Sequence, residues 1–274
     1  MKGRMKDKGR KPLQKRVGKS DFGAEQVRLN KYIANSGQCS RREADLLIAS
    51  GRIRVNGVKV TELGTKINPE TDKVQFGGKQ LSAEKKVYVL LNKPKNCITT
   101  TDDPQGRKTV LDLVRRACPE RIYPVGRLDR NTTGLLLLTN DGELARKLTH
   151  PSCLVSKVYE VKLDKPLQER DMEQLLSGIE LADGPATVDA VAFAGDGKDK
   201  TLLGVELHSG RNRVVRRMFE AMDYQVVRLD RMRIGALTKK NLPRGRWRHL
   251  SKPEIGMLKM SGRGRGKSDR KKTR

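Results

Sequence analysis

The chain has 274 residues, of which 35% are hydrophobic and 33% carry a charge. This balance suits a folded protein with room for two domains and a sizeable core. The net charge of +27 favours a polyanionic partner such as a nucleic acid. No apolar run approaches the ~18 residues of a membrane span and no apolar signal segment follows the basic N-terminus, so we expect a cytoplasmic protein.

The positive charge is not confined to the ends of the chain. Residues 1 to 27 carry +6 and residues 259 to 274 carry +7, which leaves +14 on residues 28 to 258. Residues 1 to 27 and 262 to 274 contain almost no large apolar side chains, which predicts two disordered basic tails. A basic folded part indicates that nucleic-acid binding involves more than the tails.

The first folded unit is predicted from residue 28 to about residue 81. Leu29 and Ile33 lie four residues apart on one helix face, and Gly37 is placed to end that helix. Ser40 and Glu43 form a capping box that starts a second helix. This helix is predicted to stop near residue 51.

A small sheet is predicted to follow these helices. Asn56-Gly57 between two alternating apolar pairs is a strong hairpin signal. A further strand is predicted around Val74 to Phe76. Two short helices and a small sheet therefore make up the unit.

Basic side chains decorate this unit, although on exposed helix faces such residues are usually only solvated surface. The stretch Ser-Arg-Arg-Glu-Ala-Asp and the later Val-Asn-Gly resemble the RNA-binding module named after the fourth protein of the small ribosomal subunit. The resemblance implies that this unit binds RNA. The residues expected to contact RNA are Arg28, Lys31, Arg41, Arg42 and Arg52.

A second domain is predicted over residues 87 to 258, after a polar hinge at residues 82 to 86. It opens with a buried strand, Val87 to Leu91. Many strands without regular βαβ alternation predict an α+β fold with a mixed, largely antiparallel sheet. Helices are predicted near Val110 to Ala117, Asp141 to Thr149, Arg170 to Ser177 and Arg211 to Phe219, and strands at Ile122 to Val125, Leu135 to Leu138, Val158 to Leu163, Ala186 to Phe193, Leu202 to Leu207 and Gln225 to Ile234.

One segment of this domain carries the strongest functional signal. Residues 126 to 134 read Gly-Arg-Leu-Asp-Arg-Asn-Thr-Thr-Gly and precede a run of four leucines. Judged from the residues alone, Asp129 suits a turn carboxylate that bonds its own backbone. The segment, however, resembles the catalytic motif of the pseudouridine synthases, in the branch of ribosomal enzymes that includes RsuA, RluB, RluE and RluF. The resemblance implies that Asp129 is the catalytic carboxylate.

The same resemblance assigns two further catalytic residues. Tyr159, in Lys-Val-Tyr-Glu-Val, matches the tyrosine that stacks on the target uracil, and Arg216 matches the basic residue that pairs with the catalytic carboxylate. These residues are 30 and 57 positions apart, so spacing alone does not bring them together. Without the resemblance, Tyr159 suits a core aromatic residue and Arg216 a charge on a helix surface.

Four more basic residues are expected to contact the RNA. By analogy with the family, Arg127 is expected to face the RNA and to fill the gap left by an extruded base. Extrusion costs a few kcal/mol and least in loops, so the target is expected to be a loop or junction uridine. The other three predicted RNA contacts are Lys157, Arg211 and Arg213.

The implied reaction is isomerisation of uridine to pseudouridine in ribosomal RNA, most like the type acting on the large subunit. It transfers no electrons and needs no donated group, so we expect neither cofactor nor metal. Four scattered cysteines indicate no zinc site or disulfide, and Asp102 and Asp103 beside a proline are typical turn residues. Whether Asp129 attacks the sugar or removes a sugar proton stays open. We expect a monomer, and the alternative function is a non-catalytic RNA-binding or ribosome assembly factor.

Overall fold

The computed structural model describes residues 26 to 261. The chain divides into two compact units, one ending at Ala83 and the other beginning at Glu84. The predicted basic tails lie outside the described residues, apart from residues 26 and 27. Val27, which was predicted to belong to the first tail, pairs with Ile67 in a short strand.

Within its described residues, 26 to 83, the first unit contains two helices and six short strands. The hairpin and the capping box predicted here are both present: Asn56 and Gly57 have φ of 52° and 82°, and Ser40 and Glu43 cap each other's backbone N–H groups. A small apolar core that includes Ile33 lies within the unit. In chain order the elements are β1 (Val27–Arg28), α1 (Leu29–Asn35), α2 (Arg41–Ala49), β2 (Ile53–Val55), β3 (Val58–Val60), β4 (Lys66–Ile67), β5 (Val74–Phe76) and β6 (Lys79–Gln80).

The second unit is built around one large sheet. Its helices and strands follow the predicted α+β pattern, and α4 begins at its predicted cap, Asp141. The elements are β7 (Tyr88–Lys93), α3 (Val110–Val114), β8 (Tyr123–Pro124), β9 (Thr133–Thr139), α4 (Gly142–Thr149), β10 (Lys157–Leu163), α5 (Glu169–Ser177), β11 (Ala190–Phe193), β12 (Leu202–Leu207), α6 (Val214–Glu220), β13 (Val226–Ile234), β14 (Leu237–Thr238), β15 (Trp247–His249) and α7 (Lys252–Met260).

The strand order places the leucine run at the centre of the sheet. The order is β11-β12-β10-β13-β9-β7-β15, with β14 and β8 attached at the side, and β13 with β9 is the parallel pair in an otherwise antiparallel sheet. Leu136 and Leu138 pack into one apolar cluster, whereas Leu135 and Leu137 pack into another. The predicted fold class, α+β with a mixed, largely antiparallel sheet, is confirmed.

Several predicted boundaries were wrong. Helix α6 begins at Val214, because Arg213 at its N-cap has a left-handed backbone and cannot continue a helix. The strand predicted from Ala186 begins at Ala190. Helix α7 was missed, although its Ser251 cap forms a capping box. No helix within residues 26 to 261 is long and apolar enough to cross a membrane.

Candidate active site

Asp129 and Tyr159, predicted from distant parts of the chain, line one pocket. The loop before β9 supplies Asp129, and β10 supplies Tyr159. The segment before α6 forms a further part of the wall. Four other predicted site residues, Arg127, Lys157, Arg211 and Arg213, line the same pocket. Arg216 is not among the lining residues.

A buried lysine holds the loop that carries Asp129. Lys93, at the end of β7, has 0% of its surface exposed. Its Nζ donates hydrogen bonds to the backbone oxygens of Asp129 at 2.9 Å, Arg130 at 3.2 Å and Thr132 at 2.8 Å. Burial lowers the pKa of Lys93 to about 8, and the Cys97 and Asp129 charges oppose that shift. One cation therefore gathers three carbonyls of the loop.

Two further contacts fix the same loop. Thr99 Oγ1 donates to the Leu128 oxygen at 2.8 Å, and the Asn96 backbone N–H donates to the Arg130 oxygen at 3.0 Å. The Thr132 N–H closes a turn on the Asp129 oxygen at 3.1 Å. Asp129 thus lies in a turn, as its residue type alone suggested. Its carboxylate, however, faces the pocket with 38% of the side chain exposed.

Gly134 is required where the loop enters the sheet. Its φ is 105°, a backbone conformation that side chains with a Cβ rarely adopt. A Cβ placed there would lie 2.3 Å from the Arg231 backbone oxygen and 2.4 Å from its nitrogen. This glycine therefore allows the parallel pairing of β9 with β13 directly after the Asp129 loop.

Arg213 is the basic residue that the structure pairs with Asp129. Its Nη1 lies 3.7 Å from Asp129 Oδ2, and its Nη2 donates to Glu220 at 3.2 Å. Its φ of 47° is uncommon outside glycine, and such conformations concentrate at functional sites. Both partners of the ion pair are partly exposed.

The prediction that Arg216 pairs directly with Asp129 differs from this geometry. Arg216 Nη1 donates to the Val226 backbone oxygen at 2.6 Å. Burial and the neighbouring Arg213 charge lower the pKa of Arg216, whereas Asp129 opposes both effects. Arg216 therefore lies within electrostatic reach of Asp129. The late start of α6 explains the difference, because it leaves Arg213 on the loop that approaches the carboxylate.

Arg211 was predicted to contact RNA, but its guanidinium has protein partners. It donates to both carboxylate oxygens of Asp183 and to the backbone oxygens of Gly184 and Pro185. Arg217 donates to the same Asp183 at 2.7 and 3.1 Å. We call these three charged side chains the Asp183 clamp. It fastens the segment that carries Arg213.

Lys157 and Arg231 add two cations to a pocket wall that also contains many apolar side chains. Lys157 Nζ donates to the backbone oxygens of Val155 at 3.2 Å and His208 at 2.9 Å. Burial and, to a smaller extent, the Arg231 charge together lower the pKa of Lys157 to about 8, with the Asp189 charge opposing them. Arg231 donates to the Tyr159 hydroxyl at 3.4 Å. Asp129 is the single carboxylate among the lining residues.

In the first unit, four of the five predicted RNA contacts are exposed. These are Arg28, Arg41, Arg42 and Arg52, while Lys31 is partly buried. Arg52 lies over the Phe76 ring at 5.0 Å.

Among residues 26 to 261, no group of three or more His, Cys, Asp or Glu side chains is placed to hold a metal ion. Asp103 serves a turn, accepting from the Arg107 N–H at 2.7 Å.

Three residues important for this geometry were missed from the sequence: Lys93, Asp183 and Arg231. The strand period contained a signal for two of them. Lys93 is two residues after buried Leu91, and Arg231 is two residues after buried Leu229, so each shares an inward face. A charged residue two positions after a buried apolar residue of a strand indicates a buried charge. No comparable periodic signal marks Asp183.

Two family comparisons match this chain. Residues 87–221 match the family described as RNA pseudouridylate synthase, and residues 27–73 match the S4 domain. The chain is also similar to a solved structure described as pseudouridylate synthase, with 30% sequence identity and a TM-score of 0.58. That likeness covers 85% of this chain and 99% of the other.

Two curated relatives show the same likeness at higher identity. An uncharacterized RNA pseudouridine synthase of Aquifex aeolicus is 42% identical over 234 residues, covering 85% of this chain and 94% of the relative. The ribosomal large subunit pseudouridine synthase B of Bacillus subtilis is also 42% identical over 234 residues, covering 85% of this chain and 95% of the relative. Both relatives match along nearly their whole length.

Proposed function

The chain belongs to the RNA pseudouridylate synthase family, and from that premise we propose that it isomerises a uridine of large-subunit ribosomal RNA with Asp129 as the catalytic carboxylate. The observation that carries the proposal is the meeting of Asp129, Tyr159 and the Asp129–Arg213 ion pair at one pocket. The name of the Bacillus subtilis relative supports the choice of RNA. Such RNA would be met in the cytoplasm.

The reaction needs an ionised carboxylate and a held base. The N1–C1′ bond breaks, the uracil turns, and C5 forms the new bond to C1′. Asp129 acts as an anion whether it attacks the sugar or removes a sugar proton. Arg213 favours the anion directly, and Arg216 does so from its position on α6. Tyr159 presents a ring face on which the base stacks.

Exposed basic residues would bring the RNA to this pocket. Arg127 lies exposed beside Asp129, where it suits the gap of an extruded base. In the first unit, the S4 match and the exposed arginines support phosphate contacts. The largely buried Lys157 would add a positive charge inside the pocket. Because the isomerisation transfers no electrons or groups, the proposal includes no cofactor.

The deciding experiment compares wild type with Asp129→Asn on ribosomal RNA from a strain lacking this gene. Wild type is expected to form pseudouridine at one position, located by chemical mapping. Asp129→Asn is expected to lose at least about 1,000-fold in rate, because an amide cannot act as nucleophile or base. Its stability should change by less than about 1 kcal/mol, since the Asp129–Arg213 pair is partly exposed.

Asp103→Asn is the matched control, because Asp103 is a turn carboxylate paired with an arginine outside the pocket. This variant should keep the wild-type rate. A folded Asp129→Asn protein that binds RNA and modifies it at the wild-type rate would refute the assignment. If wild type binds this RNA tightly and forms no pseudouridine, the alternative of a non-catalytic RNA-binding or ribosome assembly factor holds.

A further inference from the structure

Arg231 is a buried arginine in the wall of the pocket. Its exposed fraction is 4%. Nε donates to the Leu135 backbone oxygen at 2.8 Å, and Nη1 donates to the Tyr159 hydroxyl at 3.4 Å. Nη2 is buried and has no hydrogen-bond partner among the described residues. Both of its acceptors are neutral.

The other charged residues of β13 each have a partner of opposite charge. Arg228 pairs with Glu160 at 3.0 Å and Arg233 with Glu206 at 2.8 Å. Asp230 pairs with two cations, Lys239 at 2.6 Å and Arg244 at 2.7 Å. Within residues 26 to 261, Arg231 is the one charged side chain of this strand that has no group of opposite charge within 4 Å.

Backbone pairing in the sheet fixes the position of Arg231 and so limits which groups its side chain can contact. In the sheet it stands opposite Tyr159 on one side and Gly134 on the other. The close backbone approach at Gly134 fixes this register. Arg231 therefore joins the strand that follows the Asp129 loop to the strand that carries Tyr159.

A buried guanidinium without a counter-ion is costly, and arginine does not escape that cost by losing its proton. The group is stabilised if the occupant of the pocket supplies an acceptor. A uracil stacked on Tyr159 presents two carbonyl oxygens at its edge. Lys157, which donates only to backbone carbonyls, adds a second cation to the same wall.

We propose that Arg231 binds a carbonyl oxygen of the target uracil and stabilises the negative charge that the base acquires when its glycosidic bond breaks. This inference rests on the proposed function. The electron pair of the N1–C1′ bond leaves with the uracil and spreads over N1 and both carbonyl oxygens. The same charge is consumed when C5 bonds to C1′, after which C5 loses its proton and N1 gains one. A preorganised donor in a buried site suits this transient anion.

The first test measures single-turnover rates of Arg231→Gln at saturating RNA. Removing one such donor typically lowers the rate ~100-fold, and RNA affinity should change less than about threefold because phosphate contacts dominate it. The matched control is Arg228→Gln on the same strand, which removes an exposed ion pair and should keep the wild-type rate. Tyr159→Phe should lose far less than Arg231→Gln, because it removes only the hydroxyl contact.

The second test replaces one uracil oxygen at a time with sulfur, using RNA that carries 2-thiouridine or 4-thiouridine at the target. Sulfur accepts hydrogen bonds weakly, so the penalty of Arg231→Gln should shrink to about threefold at the contacted position and stay ~100-fold at the other. This ratio cancels the effect of sulfur on the base itself. If Arg231→Gln does not fold, Arg231→Lys carries the same comparison.

The outcomes separate this inference from the function on which it rests. Wild type without activity on ribosomal RNA would end the proposed function. An active wild type with an Arg231→Gln rate within threefold of it would overturn only the role of Arg231. An equal penalty for uridine and both thio-uridines, or a Tyr159→Phe defect as large as that of Arg231→Gln, would also overturn direct contact with the base.

Discussion

The two charged partners at the pocket, Asp129 and Arg213, are supported in opposite ways. The Asp129 loop is held from inside the protein by Lys93, which is 0% exposed and donates to backbone carbonyls. The Arg213 segment is held at the surface by the Asp183 clamp, and 49% of the Asp183 side chain is exposed. One support is part of the core, and the other is an exposed ion cluster.

The two supports should therefore differ in how much they contribute to the stability of the fold. Removing Lys93 takes a donor from three loop carbonyls. The Asp129 and Arg130 oxygens keep a backbone donor each, so the cost falls mainly on the buried hydrogen bond to the Thr132 oxygen, and this cost arises whether or not RNA is present. Removing Asp183 leaves arginines that water can solvate, so the fold loses little. The position of Asp129 should therefore depend on the stability of the core, whereas the position of Arg213 should not.

The largest expected effect tests the buried support with Lys93→Met. Methionine fills a similar volume but donates no hydrogen bond. We expect the free energy of unfolding to fall by ~3 kcal/mol, because the loss of the charged donor's hydrogen bonds to the loop outweighs the relief of no longer burying a charge. The loosened Asp129 loop should lower kcat about tenfold, since small misplacements reduce rates strongly. Denaturant unfolding and single-turnover kinetics measure the two effects.

Lys95→Met is the control for this variant, because Lys95 lies two residues further along and is exposed. It should match wild type in both measurements. If Lys93→Met loses stability and keeps the full rate, Lys93 supports the fold and does not position Asp129. If Lys93→Met keeps both, the buried support has no measurable function.

A smaller effect is expected from Asp183→Asn, which weakens the clamp at the surface. Stability should change by less than about 1 kcal/mol, because exposed ion pairs contribute little. The rate should fall about fivefold through the loosened Arg213, an expectation from the usual cost of misplacement. In an Arg213→Gln background the same change should have no further effect on the rate, which a purely structural role would not produce.

Asp199→Asn is matched to this variant, because Asp199 is also 49% exposed and pairs with a lysine away from the pocket. It should leave the rate unchanged in both backgrounds. If Asp183→Asn lowers the rate equally in the wild-type and Arg213→Gln backgrounds, the Asp183 clamp does not act through Arg213. The contrast between a buried and an exposed support of the site would then be wrong.

The sequence predicted the local features of the fold well. The Ser40 capping box, the Asn56-Gly57 hairpin and the leucine strand each depend on neighbouring residues, and each is present. The meeting of Asp129 with Tyr159 came from resemblance, because their separation along the chain carries no distance information. The structure places both at one pocket.

The partner of Asp129 was harder to predict. Arg216 was assigned from the resemblance alone. The helix was predicted to begin at Arg211, whereas the left-handed backbone at Arg213 delays its start to Val214. Arg211 and Arg217, on either side of Arg213, both bond Asp183, which lies 28 and 34 residues earlier in the chain. Lys93 was missed for a similar reason, since its acceptors in the Asp129 loop lie more than 35 residues further along the chain. Neither contact is visible in a short sequence window.

The last experiment uses pH to separate the two supports. Hydrogen bonds from Arg211 and Arg217 hold the pKa of Asp183 below its ordinary value, and burial lowers the pKa of Lys93 to about 8. Both shifts are downward, so each residue contributes more stability above its ordinary pKa and loses that contribution as pH falls through the folded value. The window for Asp183 lies below about pH 4, and that for Lys93 lies between about 8 and 10.4.

From pH 8 to 10, folded Lys93 releases its proton while most of the unfolded chain keeps it, so the free energy of unfolding should rise by about 2 kcal/mol relative to Lys93→Met. Lys157, whose pKa is also about 8, titrates in both proteins and cancels in this difference. From pH 8 to 10, the free energy of unfolding of Asp183→Asn should change with pH as that of wild type does. The small difference between the two proteins should disappear only in acid. Denaturant unfolding at each pH measures these differences. A flat difference between wild type and Lys93→Met from pH 8 to 10 would mean that the ammonium is not desolvated, and the contrast between a buried and an exposed support would then fail.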